Sequence, residues 1–385
     1  MSLAGTKWKS RMKLLSTFLA ACALGAPAQT SVTTVITKSE GCVAYAFLQF
    51  SPDGGELARA CGFAPIQLFD TATYNKCRTF RSEIDYTPRL MGFDYSPDGK
   101  TMATAQNDGG ALIWKADDPG KPVPPNGKPL KPFFGVDEVY ALDKPLHVLQ
   151  PPNAPGDDFA SVLSISYSPD VKLILTRHQS GHLKIWNAST WALQSDLTVS
   201  EKGNKALFSA LAIAPDSKSF VIADMDGLLH LWSLDRKSEI RAIRSPDGAG
   251  RPPLDLAFSP DGKTLAVVYV GQRFFDGPVV LWNTADWTAQ TMSGYEVAAF
   301  SRDGKLLALG RRDDVRLLDL ASRTELRFID IPALKTQVEV FGPNNSPHPG
   351  EKVPCGVSGL AFSPDGATLA VNCSEGSLRI VKLRP

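Results

Sequence analysis

The sequence predicts an all-β fold, a seven-bladed β-propeller built from four-stranded antiparallel blades. The first observation is a hairpin motif, in its fullest form Phe258-Ser-Pro-Asp-Gly-Lys263, which occurs seven times in complete or altered form. The second is the basic separation of 42 to 46 residues between neighbouring motifs, which is the length of one such blade. The third is an aromatic or aliphatic residue that follows each motif at a nearly constant distance. Each motif therefore marks one blade.

Each copy of the motif is interpreted as the turn between the first and second strands of a blade. Pro260 presets the backbone angle φ at the first corner, Asp261 bonds nearby backbone amides, and Gly262 accepts the left-handed conformation. Apolar segments on both sides make the whole an antiparallel hairpin. The second positions of the seven turns are residues 52, 97, 169, 215, 260, 302 and 364.

The aromatic or aliphatic residue marks the end of each third strand. It lies 16 or 17 positions after the second turn position in six repeats and 22 positions after it in the fifth. Such regular spacing along a whole chain is the strongest signal in the sequence. The seven residues are Phe69, Trp114, Trp186, Trp232, Trp282, Leu318 and Val381.

The two ends of the chain are predicted to share the last blade. The seventh repeat stops at Pro385, after its third strand, so that its fourth strand is missing. An isolated β-prone segment, Val32–Ile36, precedes the first turn at the distance where a fourth strand belongs. We therefore expect this segment to complete the seventh blade and close the ring, which removes two exposed sheet edges.

Residues 1–28 are interpreted as a signal peptide, with a single propeller domain from residue 29 to residue 385. Four basic residues precede the apolar run Leu14–Gly25, and Ala26-Pro-Ala28 fits a cleavage site. The segment Leu19–Cys22 also resembles a bacterial lipobox, in which Cys22 is lipidated. The sequence leaves both processing routes open. It predicts an exported protein, either periplasmic or secreted, with a lipid anchor as the single link to a membrane.

The composition is that of a soluble globular domain, with 43% hydrophobic and 21% charged residues among 385. Without the four basic residues of the leader, the formal charge of +1 becomes −3. Binding to DNA or RNA backbones needs a basic face, so we expect no nucleic-acid partner.

Three segments interrupt the repeat. A Pro-rich insert spans about residues 116–143, a second insert spans about 330–354, and a short one covers Gly271–Asp276. The second and third inserts are predicted to leave the same face, because second-to-third and fourth-to-first connections share one end of a blade. The Pro-rich insert is predicted to lie on the opposite face.

The cysteines near the first and last turns are candidates for disulfides. Cys42 and Cys61 bracket the first hairpin, and Cys355 and Cys373 bracket the last. Facing positions of a hairpin come within bridging distance, and an oxidising compartment preserves disulfides. One scheme pairs Cys42 with Cys61 and Cys355 with Cys373. The alternative scheme has bridges between the first and the last blade, and a third interpretation is that the cysteines are reduced and buried. Cys77 is left single.

No catalytic, cofactor-binding or metal site is predicted. The chain has five histidines without convergent partners at fixed spacing: His147, His178, His182, His230 and His348. The repeated aspartates are turn formers by position. Neither a Walker-type nor a dinucleotide-binding glycine loop occurs in the context of a strand and a helix.

Phe258-Ser-Pro-Asp-Gly-Lys-Thr-Leu-Ala266 together with Val279-Val-Leu-Trp-Asn283, and the matching sets in other blades, resemble WD40 repeats. The resemblance implies a seven-bladed propeller that holds other proteins without catalysis of its own. The family's Gly-His pair before the first strand is missing, so its buried His–Asp–Ser/Thr–Trp network is not expected. The altered Trp-Asp endings extend the resemblance to the broader bacterial propellers, including TolB-like periplasmic ones, which share the Ser-Pro-Asp-Gly hairpin.

We therefore predict a monomeric, non-catalytic scaffold that binds partner proteins through its loop faces. The candidate binding residues are Arg273, Phe274, Phe275, Phe341 and His348, because arginine and aromatic residues favour interface centres. Two other functions remain open: a propeller enzyme or small-ligand binder that uses the central channel, and a lipid-anchored envelope-assembly factor.

Overall fold

The computed structural model describes residues 34–36, 46–61, 66–80, 90–116, 145–150, 161–199, 210–244, 251–271, 277–335, 352–353 and 355–383. These residues form seven four-stranded antiparallel sheets, and no helix occurs among them. The predicted seven-bladed propeller is confirmed. Within this part of the chain, no helix is long and apolar enough to cross a membrane.

Blades 1 to 4 each use four consecutive strands, ordered from the inner to the outer strand. Their bounds are β2 Phe47–Phe50, β3 Glu56–Ala60, β4 Ile66–Asp70 and β5 Lys76–Phe80 in blade 1; β6 Leu90–Tyr95, β7 Thr101–Gln106, β8 Ala111–Lys115 and β9 His147–Gln150 in blade 2; β10 Val162–Tyr167, β11 Leu173–His178, β12 His182–Asn187 and β13 Leu193–Thr198 in blade 3; β14 Leu211–Ile213, β15 Ser219–Ala223, β16 Leu228–Ser233 and β17 Ser238–Arg244 in blade 4.

Blades 5 and 6 follow the same order, whereas blade 7 takes its outer strand from the N-terminal part of the chain. The bounds are β18 Pro253–Phe258, β19 Thr264–Tyr269, β20 Val279–Asn283 and β21 Ala289–Met292 in blade 5; β22 Val297–Phe300, β23 Leu306–Arg311, β24 Asp314–Asp319 and β25 Glu325–Asp330 in blade 6; β28 Val357–Phe362, β29 Thr368–Cys373, β30 Leu378–Lys382 and β1 Thr34–Ile36 in blade 7. A two-stranded ribbon, β26 Leu334–Lys335 and β27 Lys352–Val353, lies between blades 6 and 7 in sequence.

Strand β1 pairs with β30, with Thr34 opposite Ile380 and Ile36 opposite Leu378. The predicted closure of the ring by the N-terminal segment is confirmed. Because the outer strand of blade 7 comes from the other end of the chain, its backbone hydrogen bonds hold the two ends of the ring together.

The seven hairpin motifs form the turns between first and second strands, as their spacing predicts. In each one the N–H of the fourth residue donates to the carbonyl of the first, at 2.8 to 2.9 Å. The fourth residue always has a positive φ, between 57° and 79°, including the two non-glycine cases Val171 and Ser217. In the six turns that begin with serine, the serine hydroxyl also donates to the aspartate. The repeated aspartates therefore have a structural role.

An apolar cluster fills each of the seven junctions between neighbouring blades. At the junction of blades 7 and 1, for example, Ala361 and Ile380 pack with Phe50 and Leu57. A fully buried leucine, isoleucine or phenylalanine side chain stabilises the fold by about 1.5 to 3 kcal/mol. One blade has no means to bury both of its faces alone, so the hydrophobic core is the set of junctions.

Blades 2 and 3 retain part of a buried tryptophan network. Trp114 Nε1 donates to Thr104 Oγ1 at 2.9 Å, and Trp186 Nε1 donates to Thr176 Oγ1 at the same distance. In blade 3 the Thr176 hydroxyl also lies 3.0 Å from His178 Nε2. This histidine comes from the second strand and not from the loop before the first, where the absence of the Gly-His pair led us to expect no network.

Blades 4 and 5 lack this hydrogen bond. Ile222 and Val267 occupy the positions of the two threonines, seven residues after the second turn position. Accordingly, Trp232 Nε1 and Trp282 Nε1 are buried without a hydrogen-bond partner among the described residues. The repeat thus keeps the tryptophan for its packing even where its N–H group has no acceptor.

The turns between third and fourth strands are capped by a side chain, and the turn of blade 3 also contacts blade 2. In several blades an Asp or Asn follows the aromatic or aliphatic residue that marks the end of the third strand, and its side chain caps the turn. Asp70 Oδ1 accepts from the Thr73 N–H at 2.8 Å, and Asn187 Oδ1 accepts from the Thr190 N–H at 2.8 Å. The residue four positions after the capping Asp or Asn adopts a positive φ, as at Trp191. The Trp191 ring stacks on His147 of blade 2, with ring centroids 4.6 Å apart.

Candidate functional site

Every blade presents two ends, which differ in the length of their connections. We call the end formed by the first-to-second and third-to-fourth connections the turn end, and the opposite end the loop end. The first-to-second turns are uniform four-residue turns. Each of the other three kinds of connection has one longest member: β19–β20 among the second-to-third connections and β25–β28 among the fourth-to-first connections at the loop end, and β8–β9 among the third-to-fourth connections at the turn end.

The sequence-predicted partner-binding residues belong to two loop-end connections. Arg273, Phe274 and Phe275 lie between β19 and β20, and Phe341 and His348 lie between β25 and β28. All five lie outside the described residues. The described residues on either side of each connection hold its two ends together. In the β19–β20 connection the Tyr269 N–H donates to the Pro278 carbonyl at 3.1 Å, and in the β25–β28 connection strands β26 and β27 pair with each other.

Blade 6 lies between these two connections and carries a cluster of arginine, acidic and aromatic residues at the loop end. Arg311 Nε donates to Asp314 Oδ2 at 2.8 Å, and the Arg311 guanidinium carbon lies 5.9 Å from the centre of the Tyr295 ring. Burial raises the pKa of Tyr295 above its ordinary value. Arg312 is exposed and has a φ of 27°, a strained value for a residue other than glycine.

A central channel of about 700 Å³ runs between the inner strands of all seven blades. Its charged lining residues are Asp94, Asp255 and Arg302. Arg302 stands where six of the seven turns have proline, and its Nη1 donates to the Pro52 carbonyl at 2.8 Å. This side chain reaches from blade 6 to blade 1, so it lies across part of the channel mouth at the turn end.

Asp94 connects three blades along the channel wall. Its carboxylate accepts from Gln49 Nε2 of blade 1 at 2.9 Å, and from Ser166 Oγ at 3.0 Å and the Tyr167 N–H at 2.9 Å in blade 3. Burial raises the pKa of Asp94 above its ordinary value, although these hydrogen bonds act in the opposite direction. Because both of its oxygens accept hydrogen bonds from neighbouring blades, Asp94 holds these blades together.

The described histidines do not converge on a site. His178 is buried beside Thr176, and burial lowers its pKa to about 3. His182 pairs with Asp196 at 2.7 Å on the surface. His230 lies between Asp224 and Glu239, and its hydrogen bond to Asp224 is the main cause of a raised pKa.

Three of the described cysteines form disulfide bonds and one is a free thiol. Cys355 and Cys373, one of the pairs considered from the sequence, are joined by a disulfide with Cα atoms 4.8 Å apart. Cys61 is also disulfide-bonded. Cys77 is free and exposed. Cys22 and Cys42 lie outside the described residues.

Two buried arginines link blades 6, 7 and 1 at the loop end. Arg59 of blade 1 donates from Nη2 to the Gly376 carbonyl of blade 7 at 2.6 Å. Arg379 of blade 7 pairs with Glu375 at 2.5 Å and donates to the carbonyl of Pro332, which follows blade 6. Sequence reasoning missed both, although an arginine in an otherwise apolar strand signals a buried, paired charge.

The last repeat, residues 348–382, matches the family described as WD domain, G-beta repeat. The chain is similar to Protein HIR1 of Candida albicans, at 22% identity over 316 residues, which is 76% of this chain and 32% of that protein. It is similar to the WD repeat-containing protein WDS homolog of Arabidopsis thaliana, at 30% identity over 46% of this chain and 28% of that protein. It also matches a guanine nucleotide-binding protein subunit beta of Zea mays, at 22% identity over 58% of this chain and 56% of that protein.

The seven blades define the class of the protein, a seven-bladed β-propeller, and its last repeat matches the WD-repeat family model. The resemblance to the WD40 repeat family predicted from the sequence is thereby confirmed, and the similar proteins are WD-repeat proteins. The chain spans about a third or less of the length of the first two relatives named above. The similarity to bacterial TolB-like propellers remains a prediction.

Proposed function

We propose that the protein is an exported, non-catalytic scaffold that binds a partner protein at its loop end. The observation that carries the proposal is the arrangement of the two loop-end connections. The β19–β20 and β25–β28 connections interrupt the regular repeat on the same end and flank blade 6. The β19–β20 connection is the longest of the second-to-third connections and β25–β28 is the longest of the fourth-to-first connections, and long connections on a rigid scaffold are where recognition residues are expected.

The described surface between these connections has the composition of an interface centre. Arg311, Arg312 and Tyr295 bring two guanidinium groups and an aromatic ring to the loop end of blade 6. Arginine and tyrosine are enriched among the residues that contribute most binding energy.

The similar proteins support the class of activity. The maize relative is named as a subunit of a guanine nucleotide-binding protein, which makes it one component of an assembly. A role in holding a protein partner is the corresponding proposal for this chain. The identity of the partner does not transfer, because each match covers only part of the relative.

Export is the second component of the proposal. It is supported by the basic start, the apolar run and the Ala26-Pro-Ala28 pattern, and by three disulfide-bonded cysteines that an oxidising compartment would preserve. Mass spectrometry of the mature N-terminus tests it. A chain beginning at Gln29 indicates ordinary cleavage, one beginning at a lipid-modified Cys22 indicates an envelope lipoprotein, and an unprocessed chain contradicts export.

The binding site is tested by affinity capture from an envelope extract with two variants, one altered at the loop end and one altered at the turn end as its control. The loop-end variant lacks residues 336–351 and carries R273A, F274A and F275A. The turn-end variant has residues 117–144 replaced by a short Gly-Ser linker. We expect a set of proteins captured by the wild type and the turn-end variant and lost from the loop-end variant. Equal capture by both variants, with unchanged circular dichroism, would contradict binding at the loop end.

The competing function is a small-ligand binder or enzyme that uses the central channel. The channel volume of about 700 Å³ favours it. The hydrogen bonding of Asp94 argues for the scaffold, because this acidic group of the channel wall already joins blades 1, 2 and 3. Loss of activity or ligand binding in D94N without a change in partner capture would favour the channel.

A further inference from the structure

A cluster of three metal-ligating side chains lies at the loop end of blade 7. The two sulphur atoms of Cys355 and Cys373 and a carboxylate oxygen of Glu375 all lie within 4.8 Å of one another. Both cysteines are fully buried, and the Glu375 side chain is 7% exposed. Among the described residues this is the one group of three such side chains close enough to share an ion.

The hydrogen bonding of Glu375 leaves one oxygen available. Oε1 accepts from Arg379 Nη2 at 2.5 Å and from Ser377 Oγ at 2.6 Å. Oε2 is buried and has no hydrogen-bond partner in the described part of the chain. A buried carboxylate oxygen without a partner is costly, whereas a carboxylate fixed by hydrogen bonds to its other oxygen is typical of a metal ligand.

We propose that this corner is a redox-gated zinc site, which binds one Zn²⁺ through Cys355, Cys373 and Glu375 when the disulfide is reduced. Two thiolates and a carboxylate suit Zn²⁺, whereas Mg²⁺ and Ca²⁺ prefer oxygen ligands alone. The three negative ligands are balanced by the doubly charged ion and the Arg379 guanidinium. The site as a whole is neutral, which is favourable in a buried position.

The two states exclude each other. A dithiol reductant supplies two electrons and two protons, the bond between the sulphur atoms breaks, and two thiols form. Zn²⁺ then displaces both thiol protons as each sulphur binds the metal, and water takes the fourth position. In the oxidised chain each sulphur is bonded to the other, so the site is closed to the ion.

Blade 1 provides an internal comparison. Cys61 lies nine residues after the second turn position, as Cys373 does, and it is also disulfide-bonded. Eleven residues after that position, however, blade 1 has Phe63 where blade 7 has Glu375. The carboxylate ligand is therefore specific to blade 7.

The experiment uses the full chain with C77S, reduced by a phosphine and titrated with Zn²⁺ alone under anaerobic conditions. We expect native mass spectrometry to find one tightly held Zn²⁺ per chain in the reduced form and none in the oxidised form. We expect Co²⁺ to give the thiolate-to-metal charge-transfer absorption of sulphur ligation. C355S and E375Q should each weaken Zn²⁺ binding at least tenfold, whereas C61S should leave it unchanged.

Several outcomes would overturn the proposal: no Zn²⁺ on the reduced chain, loss of binding in C61S instead of C355S, or E375Q equal to the wild type. Because E375Q removes the counter-ion of Arg379, folding is checked by circular dichroism. If E375Q does not fold, E375D keeps the charge but shortens the reach of the carboxylate. Wild-type affinity in E375D, together with an unaltered Co²⁺ spectrum, would then contradict a role for Glu375 as a ligand.

Discussion

Two regions of the ring use different means to hold blades in place. At the seam formed by blades 6, 7 and 1, buried Arg59 and Arg379 reach backbone carbonyls of neighbouring segments, and the Cys355–Cys373 disulfide braces the first hairpin of blade 7. In blades 2 and 3, neutral Trp–Thr hydrogen bonds stabilise single blades from within. Blades 7 and 1 are distant in sequence, so no short connection holds them together. Arg177 makes a similar buried contact between the consecutive blades 3 and 4, where its Nη1 donates to the Ala210 carbonyl at 3.3 Å, so the buried salt bridge and the disulfide of blade 7 are what distinguish the seam.

The largest effect is expected from removing the buried arginine of the seam. R379M should lower the free energy of unfolding by about 3 to 5 kcal/mol, because Glu375 is left buried without its counter-ion. Urea unfolding followed by fluorescence measures the change. R316M is the matched control: it breaks the partly exposed pair with Glu325 and should cost about 1 kcal/mol or less. Equal losses in the two variants would contradict a special role for the seam.

The tryptophan network should respond with opposite signs in two blades. T176V removes the acceptor of Trp186 and should cost about 1 to 2 kcal/mol. V267T supplies the acceptor that Trp282 lacks and should stabilise blade 5 by up to about 1 kcal/mol. Differential scanning calorimetry of both variants tests the pair. Destabilisation by V267T as large as that by T176V would show that the hydrogen bond contributes nothing.

Neighbouring blades 3 and 4 should also differ in their response to pH. The folded pKa of His178 is about 3, below the unfolded value of about 6.5, so the unfolded chain binds more protons and stability falls as pH drops below 6.5. The folded pKa of His230 is raised, so its contribution is full below pH 6.5 and is lost as pH rises through the folded pKa.

The two contributions are separated by measuring the free energies of unfolding of H178Q and H230Q relative to the wild type from pH 5 to pH 9. The difference for H178Q should shrink towards acid, and the difference for H230Q should shrink towards alkali. Parallel profiles for the two variants would contradict the assigned environments.

The smallest effect concerns the turns. Val171 is a β-branched residue at a φ of 61°, where glycine stands in five of the seven turns. V171G should stabilise the protein by about 1 kcal/mol through relief of backbone strain. S217G should have little effect, because Ser217 is not β-branched and its hydroxyl accepts from the Asp170 N–H at 3.1 Å. Chemical denaturation of the two variants distinguishes them, and a loss of stability in V171G would be the opposite result.

The fold was accessible from the sequence because its information is periodic. The turn residues and the landmarks from Phe69 to Val381 place every hairpin, and the missing outer strand of blade 7 implies the pairing of β1 with β30. Local turn chemistry and alternating apolar residues act within one blade, so that one repeat can be compared directly with the next.

Contacts between blades were harder to predict, because they depend on residues that occur once. Arg59, Arg302 and Arg379 interrupt the repeat, and their partners are mostly backbone carbonyls, which leave no trace in side-chain patterns. Thr104 and Thr176 did carry a usable signal, since both lie seven residues after the second turn position. The partner-binding candidates remain predictions, because they lie outside the described residues.

The most direct test of the account is hydrogen–deuterium exchange of the intact ring with and without a reductant. If the seam depends on its covalent link, reduction should accelerate exchange in β28, β29 and β30 and in the first blade, and leave β11, β12 and β16 unchanged. Uniform acceleration around the ring, or no acceleration in blade 7, would contradict the distinction between the seam and the other blades.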